Sequence, residues 1–156
     1  MHIKSLVILG NQGHASSVAD AAESTGFRVD GHLDISSVSG DFVALLKALE
    51  GVDFESTCVA LGVGANYLRG ALYAAVMQAY PSAQFPPIVH ASAWVSPSSV
   101  LSEGAVLLAH ASAGAHSRLG IGSLLSSSSS LDHDSELGNF ASLAPGARTG
   151  GNVTVG

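Results

Sequence analysis

Residues Leu125–Gly138 read LSSSSSLDHDSELG, five consecutive serines running into a histidine flanked by two aspartates. Such a tract is either a solvated linker or part of an ordered repeat, and spacing decides between the two. Leu125, Leu131 and Leu137 keep a six-residue interval straight through the serines. Followed both ways, the interval runs Val89, Val95, Leu101, Leu107, Ala113, Leu119, Leu125, Leu131, Leu137, Leu143, Thr149 and Val155, and ten of the twelve are Val or Leu. Two places before each of the later eleven stands a second column: Ala93, Ser99, Ala105, Ala111, Ser117, Ser123, Ser129, Ser135, Ala141, Ala147 and Val153, of which ten are Ala or Ser. Helices repeat at about 3.6 residues and strands at about 2, so neither explains a period of six. A β-helix of six-residue sides does: the aliphatic residue fills the interior, the small one fits the corner, and three sides close a coil. Gly114, Gly120, Gly138, Gly150 and Gly156 follow the aliphatic column directly, which reads as a further turn feature. A linker has no reason to keep this register, so the serines are expected to be ordered.

Upstream the period changes. From Lys4 to about Gln84, short β-rich runs alternate with helix-patterned segments, which predicts a small Rossmann-like α/β domain with a parallel sheet. SLVIL is the first strand, a helix runs from about His14 to Thr25 against Gly26, and RVDGHLD is the second strand. DFVALLKALEG is a helix with Asp41 as N-cap and Gly51 as stop, TCVAL a third strand, and Asn66 to Tyr80 a helix ended by Pro81. The domains are placed at 1–86 and 87–156. A hydrophobic content of 47% supports packed cores, and a net charge of −6 offers no basic surface for nucleic acid or anionic lipid. No apolar run approaches the roughly 18 residues of a membrane span, and the N-terminus has no signal pattern, so a cytoplasmic protein is expected. Cys58, the only cysteine, sits in an apolar strand and reads as core.

The register builds a site. Residues one coil apart stack about 4.8 Å from each other, which puts His116 under Asp134. His133, two places after interior Leu131, falls near a corner with its imidazole accessible. A carboxylate bonded to one ring nitrogen fixes the tautomer, raises basicity and leaves the other nitrogen to take a proton, which is the arrangement of a general base. In the first half, the GNQGHA loop (Gly10–Ala15) joins a strand to a helix, and Gly10, Gly13 and His14 present N–H groups suited to phosphate. Gln12 replaces the second glycine of GxGxxG, so NAD is disfavoured. Asp34, at the end of the second strand, is placed to accept from a ribose hydroxyl or a base. Asn66 and Arg69 either contact the ligand or support their own helix.

Taken together, GNQGHA, GANYLR (Gly64–Arg69), VHASA (Val89–Ala93) and the DHD-containing hexads resemble the sugar acetyltransferases of the NeuD and PglD type. The resemblance implies a left-handed parallel β-helix, against the usual right-handed crossover, assembled as a homotrimer with active sites between subunits. It implies acetyl transfer from acetyl-CoA to the amine of a nucleotide-linked amino sugar, or alternatively O-acetylation of a sialic-acid-like sugar, without a metal. His133 is then the general base and Asp134 the residue that orients it. The sugar nucleotide falls to the N-terminal domain through Gly10, Gly13, His14, Asp34, Asn66 and Arg69. The acetyl-CoA side falls to Ser142, Gly146, Gly150 and Gly151, the glycine-rich coil offering backbone N–H donors to the oxyanion. The family often has Asn-Thr where this chain has Ser126-Ser127, and often a histidine where it has Ser142. Relatives continue for several further coils and a cap, whereas this sequence stops at Gly156 in mid-hexad. The β-helix is therefore expected to be incomplete, which motivates a second reading as a non-catalytic sugar-nucleotide-binding or trimeric module. A metalloenzyme using His110, His116 and His133 is disfavoured, since their spacing matches no metal-ligand pattern.

Overall fold

Ser5–Leu9 (β1) is the central strand of a three-stranded parallel sheet, and it is almost wholly buried because it has a neighbour on either side. The computed structural model describes residues 4–35 and 42–156, and the chain divides into two compact units, Met1–Pro86 and Pro87–Gly156. In the first, β1 is followed by α1 (Gly13–Glu23), β2 (Arg28–Leu33), α2 (Val43–Leu49), β3 (Thr57–Leu61) and α3 (Asn66–Ala79), with strand order β2-β1-β3. Edge strand β2 alternates between exposed and half-buried residues, as a strand with one free side should. Helix α1 buries Ala15, Val18, Ala19 and Ala22, a 3.6-period stripe against the sheet. Leu9, Leu45, Leu49, Val59, Leu61, Leu72 and Val76 form the core, with Phe85 packed on Tyr73 at a ring separation of 5.0 Å. Asp41, the expected cap of α2, lies outside the described residues. Since β1 is flanked by strands that follow it on opposite sides, the carboxyl ends of β1 and β3 adjoin at a topological switch point.

The second unit is a triangular parallel β-helix whose strands are two residues long. One face stacks Ile88–Val89, Val106–Leu107, Leu124–Leu125 and Ser142–Leu143. The second stacks Trp94–Val95, Ser112–Ala113 and Ser130–Leu131, with Arg148 bridged to Ser130. The third stacks Val100–Leu101, Arg118–Leu119, Glu136–Leu137 and Thr154–Val155. Every pairing joins residues 18 apart, such as Leu125 with Leu143 and Leu137 with Val155. The six-residue column is the second residue of each strand and points inward: Leu107, Ala113, Leu119, Leu125, Leu131 and Leu137 are at most 1% exposed. The small column joins them, with Ser117, Ser123, Ser129 and Ser135 also at 1% or less.

The serine tract is ordered by backbone pairing. Ser126, Ser128 and Ser130 N–H donate to the carbonyls of Leu143, Ala109 and Ala147 at 3.1, 2.9 and 2.9 Å, and the Ser129 hydroxyl donates to the Ser126 carbonyl at 2.7 Å.

The corners obey a rule that composition does not announce. Gly104, His110, His116, Gly122, Ser128, Asp134, Phe140, Gly146 and Asn152 all take left-handed backbone, with φ between 56 and 72°. They recur every six residues, three places after the interior column. A left-handed non-glycine residue costs roughly 1–2 kcal/mol, and here the coil below offsets it: the N–H of Gly122, Ser128, Asp134, Phe140, Gly146 and Asn152 each donates to a carbonyl one coil down, at 2.7–3.0 Å. At His110 and His116 the hydroxyls of Ser92 and Ser98 accept instead, at 3.1 and 3.0 Å. The glycines that directly follow the aliphatic column are not left-handed. At two of them the reason is close approach: a Cβ on Gly114 or Gly120 would lie 2.7 Å from His133 N or 2.6 Å from Asn139 N. At those two positions the glycine marks contact between coils and not the turn conformation. Among the described residues, no helix is long and apolar enough to cross a membrane.

Candidate active site

His133 lies at the corner between the second and third faces, two residues past buried Leu131 and three before Glu136. Extended backbone sends consecutive side chains to opposite sides, but the left-handed step at Asp134 breaks that alternation. The two side chains therefore meet, with His133 Nδ1 2.8 Å from Asp134 Oδ2. The preceding Asp132 turns its carboxylate back to accept the His133 backbone N–H at 2.7 Å, which fixes the start of the same turn. The hydrogen bond to Asp134, followed by the negative charge of Asp132, holds the imidazole pKa above the ordinary histidine value. A carboxylate at Nδ1 makes that nitrogen the donor and leaves Nε2 as the basic atom.

One coil above, Gly150 and Gly151 come to this corner, and a Cβ on Gly151 would overlap Cε1 and Nε2 of the His133 ring. His116 occupies the same corner column one coil below Asp134. Ser142 and Gly146 go elsewhere within the chain: Ser142 is on the first face, and Gly146 is at the corner between the first and second faces. Of the four residues assigned to the acetyl-CoA side, the fold thus brings two to the imidazole. Ser135 is a member the sequence did not single out. Its buried hydroxyl lies 3.1 Å from the Gly150 carbonyl and accepts the Val153 N–H at 3.1 Å, tying the coil that carries Gly151. Only its membership of the small column was legible. Among the described residues no group of three or more His, Cys, Asp or Glu could hold a metal ion.

In the first unit a cleft of about 640 Å³ opens at the switch point, a size that suits a small ligand. Its polar end is Gly10, Asn11, Gln12 and His14, where β1 enters α1, and its apolar end is Ile35, Phe42, Tyr67 and Leu68. Gly10 (φ 129°) and Gly62 pack face to face, since a Cβ on Gly10 would lie 2.6 Å from the Gly62 carbonyl oxygen. Gly62 was not foreseen, because a lone glycine after a strand carries no signature. Burial, and then the nearby Arg69 charge, lower the His14 pKa, so this ring is neutral, and its Nε2 is buried without a partner.

Not every assigned residue reaches the cleft. Gly13, Asp34, Asn66 and Arg69 are not among its lining residues. Arg69 is 1% exposed and donates from Nη1 to the Val63 and Gly64 carbonyls at 3.0 and 2.9 Å and from Nη2 to Asn66 Oδ1 at 3.0 Å. Of the two roles open from the sequence, the geometry gives Arg69 and Asn66 that of bracing the β3–α3 loop. Tyr67, by contrast, is 82% exposed at the cleft, and Trp94 is 57% exposed on the β-helix.

Residues 5–76 match the PglD N-terminal domain family. No curated protein matches the chain. Among solved structures it is similar to the acetyltransferase domain of PglB from Neisseria gonorrhoeae FA1090, at 26% identity and a TM-score of 0.85 over 97% of this chain and 76% of that one. The same domain in complex with acetyl coenzyme A matches at 26% identity and a TM-score of 0.81, over 98% and 76% of the two chains. PerB from Caulobacter crescentus, in complex with CoA and GDP-perosamine, matches at 29% identity and a TM-score of 0.81, over 97% and 74%. With these the chain shares a Rossmann-like first domain and a left-handed parallel β-helix, and it is an acetyltransferase of the hexapeptide-repeat class. Within that class it is similar to the NeuD/PglD-type sugar acetyltransferases.

Proposed function

We propose that this chain transfers the acetyl group of acetyl-CoA to the amine of a nucleotide-linked amino sugar, with His133 as general base. The observation that carries the reading is the 2.8 Å contact between His133 Nδ1 and Asp134, made possible by the left-handed corner. With Nδ1–H committed to the carboxylate, Nε2 takes the proton of the amine as its nitrogen attacks the thioester carbonyl; the C–S bond then breaks and CoA leaves as the thiolate. No acyl-enzyme is required. Backbone N–H groups of the Gly150–Gly151 segment, one coil above the ring, are the nearest candidates to receive the developing oxyanion. The cleft at the end of β1 and β3 holds the sugar nucleotide, its phosphates at Gly10–His14 and its base toward Tyr67, Ile35 and Phe42. Exposed Trp94 and Val100, at 57% and 51%, support a homotrimer in which a neighbouring copy covers the first coil. A cytoplasmic setting, with its supply of acetyl-CoA, goes with this reading.

The test is acetyl transfer from acetyl-CoA across a panel of amino-sugar nucleotides and sialic-acid-like acceptors. Loss of the base is expected to lower kcat about 10²- to 10⁴-fold in His133→Ala. Undiminished turnover in that variant removes His133 as the base, and sugar-nucleotide binding with no turnover on any acceptor favours a non-catalytic module.

A further inference from the structure

Gly114, Gly120 and Gly151 of the β-helix press most closely on an adjacent coil and differ in what a methyl group would strike. At Gly114 and Gly120 the obstacle is backbone, that of Asp132–His133 and of Gly138–Asn139. At Gly151 the three nearest atoms all belong to the imidazole of His133: Cε1 and Nε2 would be overlapped, and Cδ2 would lie at 3.0 Å. Gly151 is not left-handed, so its backbone conformation is open to other residues. What requires a glycine is the space the ring fills.

The segment around it is fixed on both sides. The Asn152 N–H donates to the His133 carbonyl at 2.9 Å, and Ser135, 1% exposed, lies between the Gly150 carbonyl and the Val153 N–H at 3.1 Å from each. The ring is thus held at Nδ1 by Asp134 and stopped along its Nε2 edge by the Gly151 α-carbon. Exposed on one side, such a ring would otherwise turn about its side-chain torsions.

We propose that Gly151 is a positioning residue for His133, its bare α-carbon forming the wall that sets where Nε2 points, and that Ser135 holds this wall in register. The inference rests on the reading of His133 as base and adds the element that fixes its orientation. Because the atoms in the way are the end of a side chain, Gly151→Ala keeps the fold and displaces the ring. A displacement of the order of 1 Å costs about 10²-fold in kcat.

The experiment reads the imidazole directly, in the free enzyme, by NMR titration of the His133 Cε1 proton. The charged and titratable groups around it are Asp132 and Asp134 on its own turn and His116 below; Gly150, Gly151 and Asn152 above bring none. In Gly151→Ala the midpoint falls toward the ordinary value of about 6.5 as the Asp134 bond is lost, and kcat falls about 10²-fold. Thermal melts supply a second readout. Combined with His133→Ala, the added methyl meets no ring, so the double variant melts with His133→Ala alone. An unchanged titration midpoint, or equal destabilisation by Gly151→Ala with and without the imidazole, overturns the proposal. Should Gly151→Ala fail to fold, the double variant decides: folding like His133→Ala supports the wall, and failing too refutes it. Full activity in His133→Ala would remove the base reading, and the titration would still judge the wall.

Discussion

Replacing Arg69 separates a residue that braces the cleft from one that binds the ligand. The guanidinium makes charge-assisted hydrogen bonds to the Val63 and Gly64 carbonyls and to Asn66, at about 1.5–3 kcal/mol each. Its stem adds about 2 kcal/mol of methylene burial. Burial pushes its pKa down to about 10, a cost of about 3 kcal/mol at about 1.4 kcal/mol per tenfold, which Arg69→Ala recovers. The hydrogen bonds and the stem outweigh that relief, so the variant should lose about 4–8 kcal/mol from the first unit, a large part of a typical domain stability of about 5–15 kcal/mol. The chain offers its own probes, since all three tyrosines lie in the first unit and the single tryptophan, Trp94, in the second. In urea, tyrosine near-UV dichroism should move to lower denaturant while Trp94 fluorescence keeps its midpoint. Arg69→Lys, with one ammonium for three acceptors, should fall between. A variant whose tyrosine midpoint equals the parent's, with sugar-nucleotide binding lost in calorimetry, would show that Arg69 is a ligand contact and that the bracing argument is wrong.

Asp134→Asn removes the main group favouring the imidazolium, so the acid limb of the kcat profile should move to lower pH, toward about 6.5, while kcat falls about 10-fold or more; a limb that stays in place would dissociate Asp134 from the titration. Ser123 buries a hydroxyl with no partner in a column that also holds Ala105, Ala111 and Ala141. Ser123→Ala should therefore raise β-helix stability by about 1 kcal/mol in urea melts followed by Trp94, and a clear loss would mean the hydroxyl is satisfied. Gly114→Ala drives a methyl into the Asp132–His133 backbone and should cost about 1–3 kcal/mol together with activity; a variant as stable and active as the parent would contradict the packing described at that corner.

What the sequence disclosed follows from what each residue type can and cannot do. The interior of the β-helix excludes water, so Leu125, Leu131 and Leu137 had to be apolar at a fixed interval, and the six-residue phase was legible even across five serines. The strands of the first unit were legible for the same reason: Ser5–Leu9 and Thr57–Leu61 are buried runs bounded by Gly10 and Gly62. The corner column had no such constraint. A left-handed residue held by an N–H bond to the coil below tolerates Ser128, Asp134, Phe140 or Asn152 alike, because the neighbouring backbone, and not the residue's own side chain, stabilises the conformation.

The same reasoning explains why the candidate site was only half visible. DHD reads as a dyad because two carboxylates beside a histidine are chemically suggestive at any spacing. That the second carboxylate and not the first takes Nδ1 depends on the left-handed step at Asp134, which leaves Asp132 to the backbone N–H. Gly151 could be placed near His133 by counting one coil, but its pressing need, room for a ring rather than freedom of backbone, required coordinates. In a solenoid, residues far apart in sequence meet by register, so positions are predictable while side-chain directions are not. Function here is set by those directions: a corner that turns its residues left-handed brings consecutive side chains together, and one that stayed extended would have sent His133 and Asp134 to opposite sides of the coil.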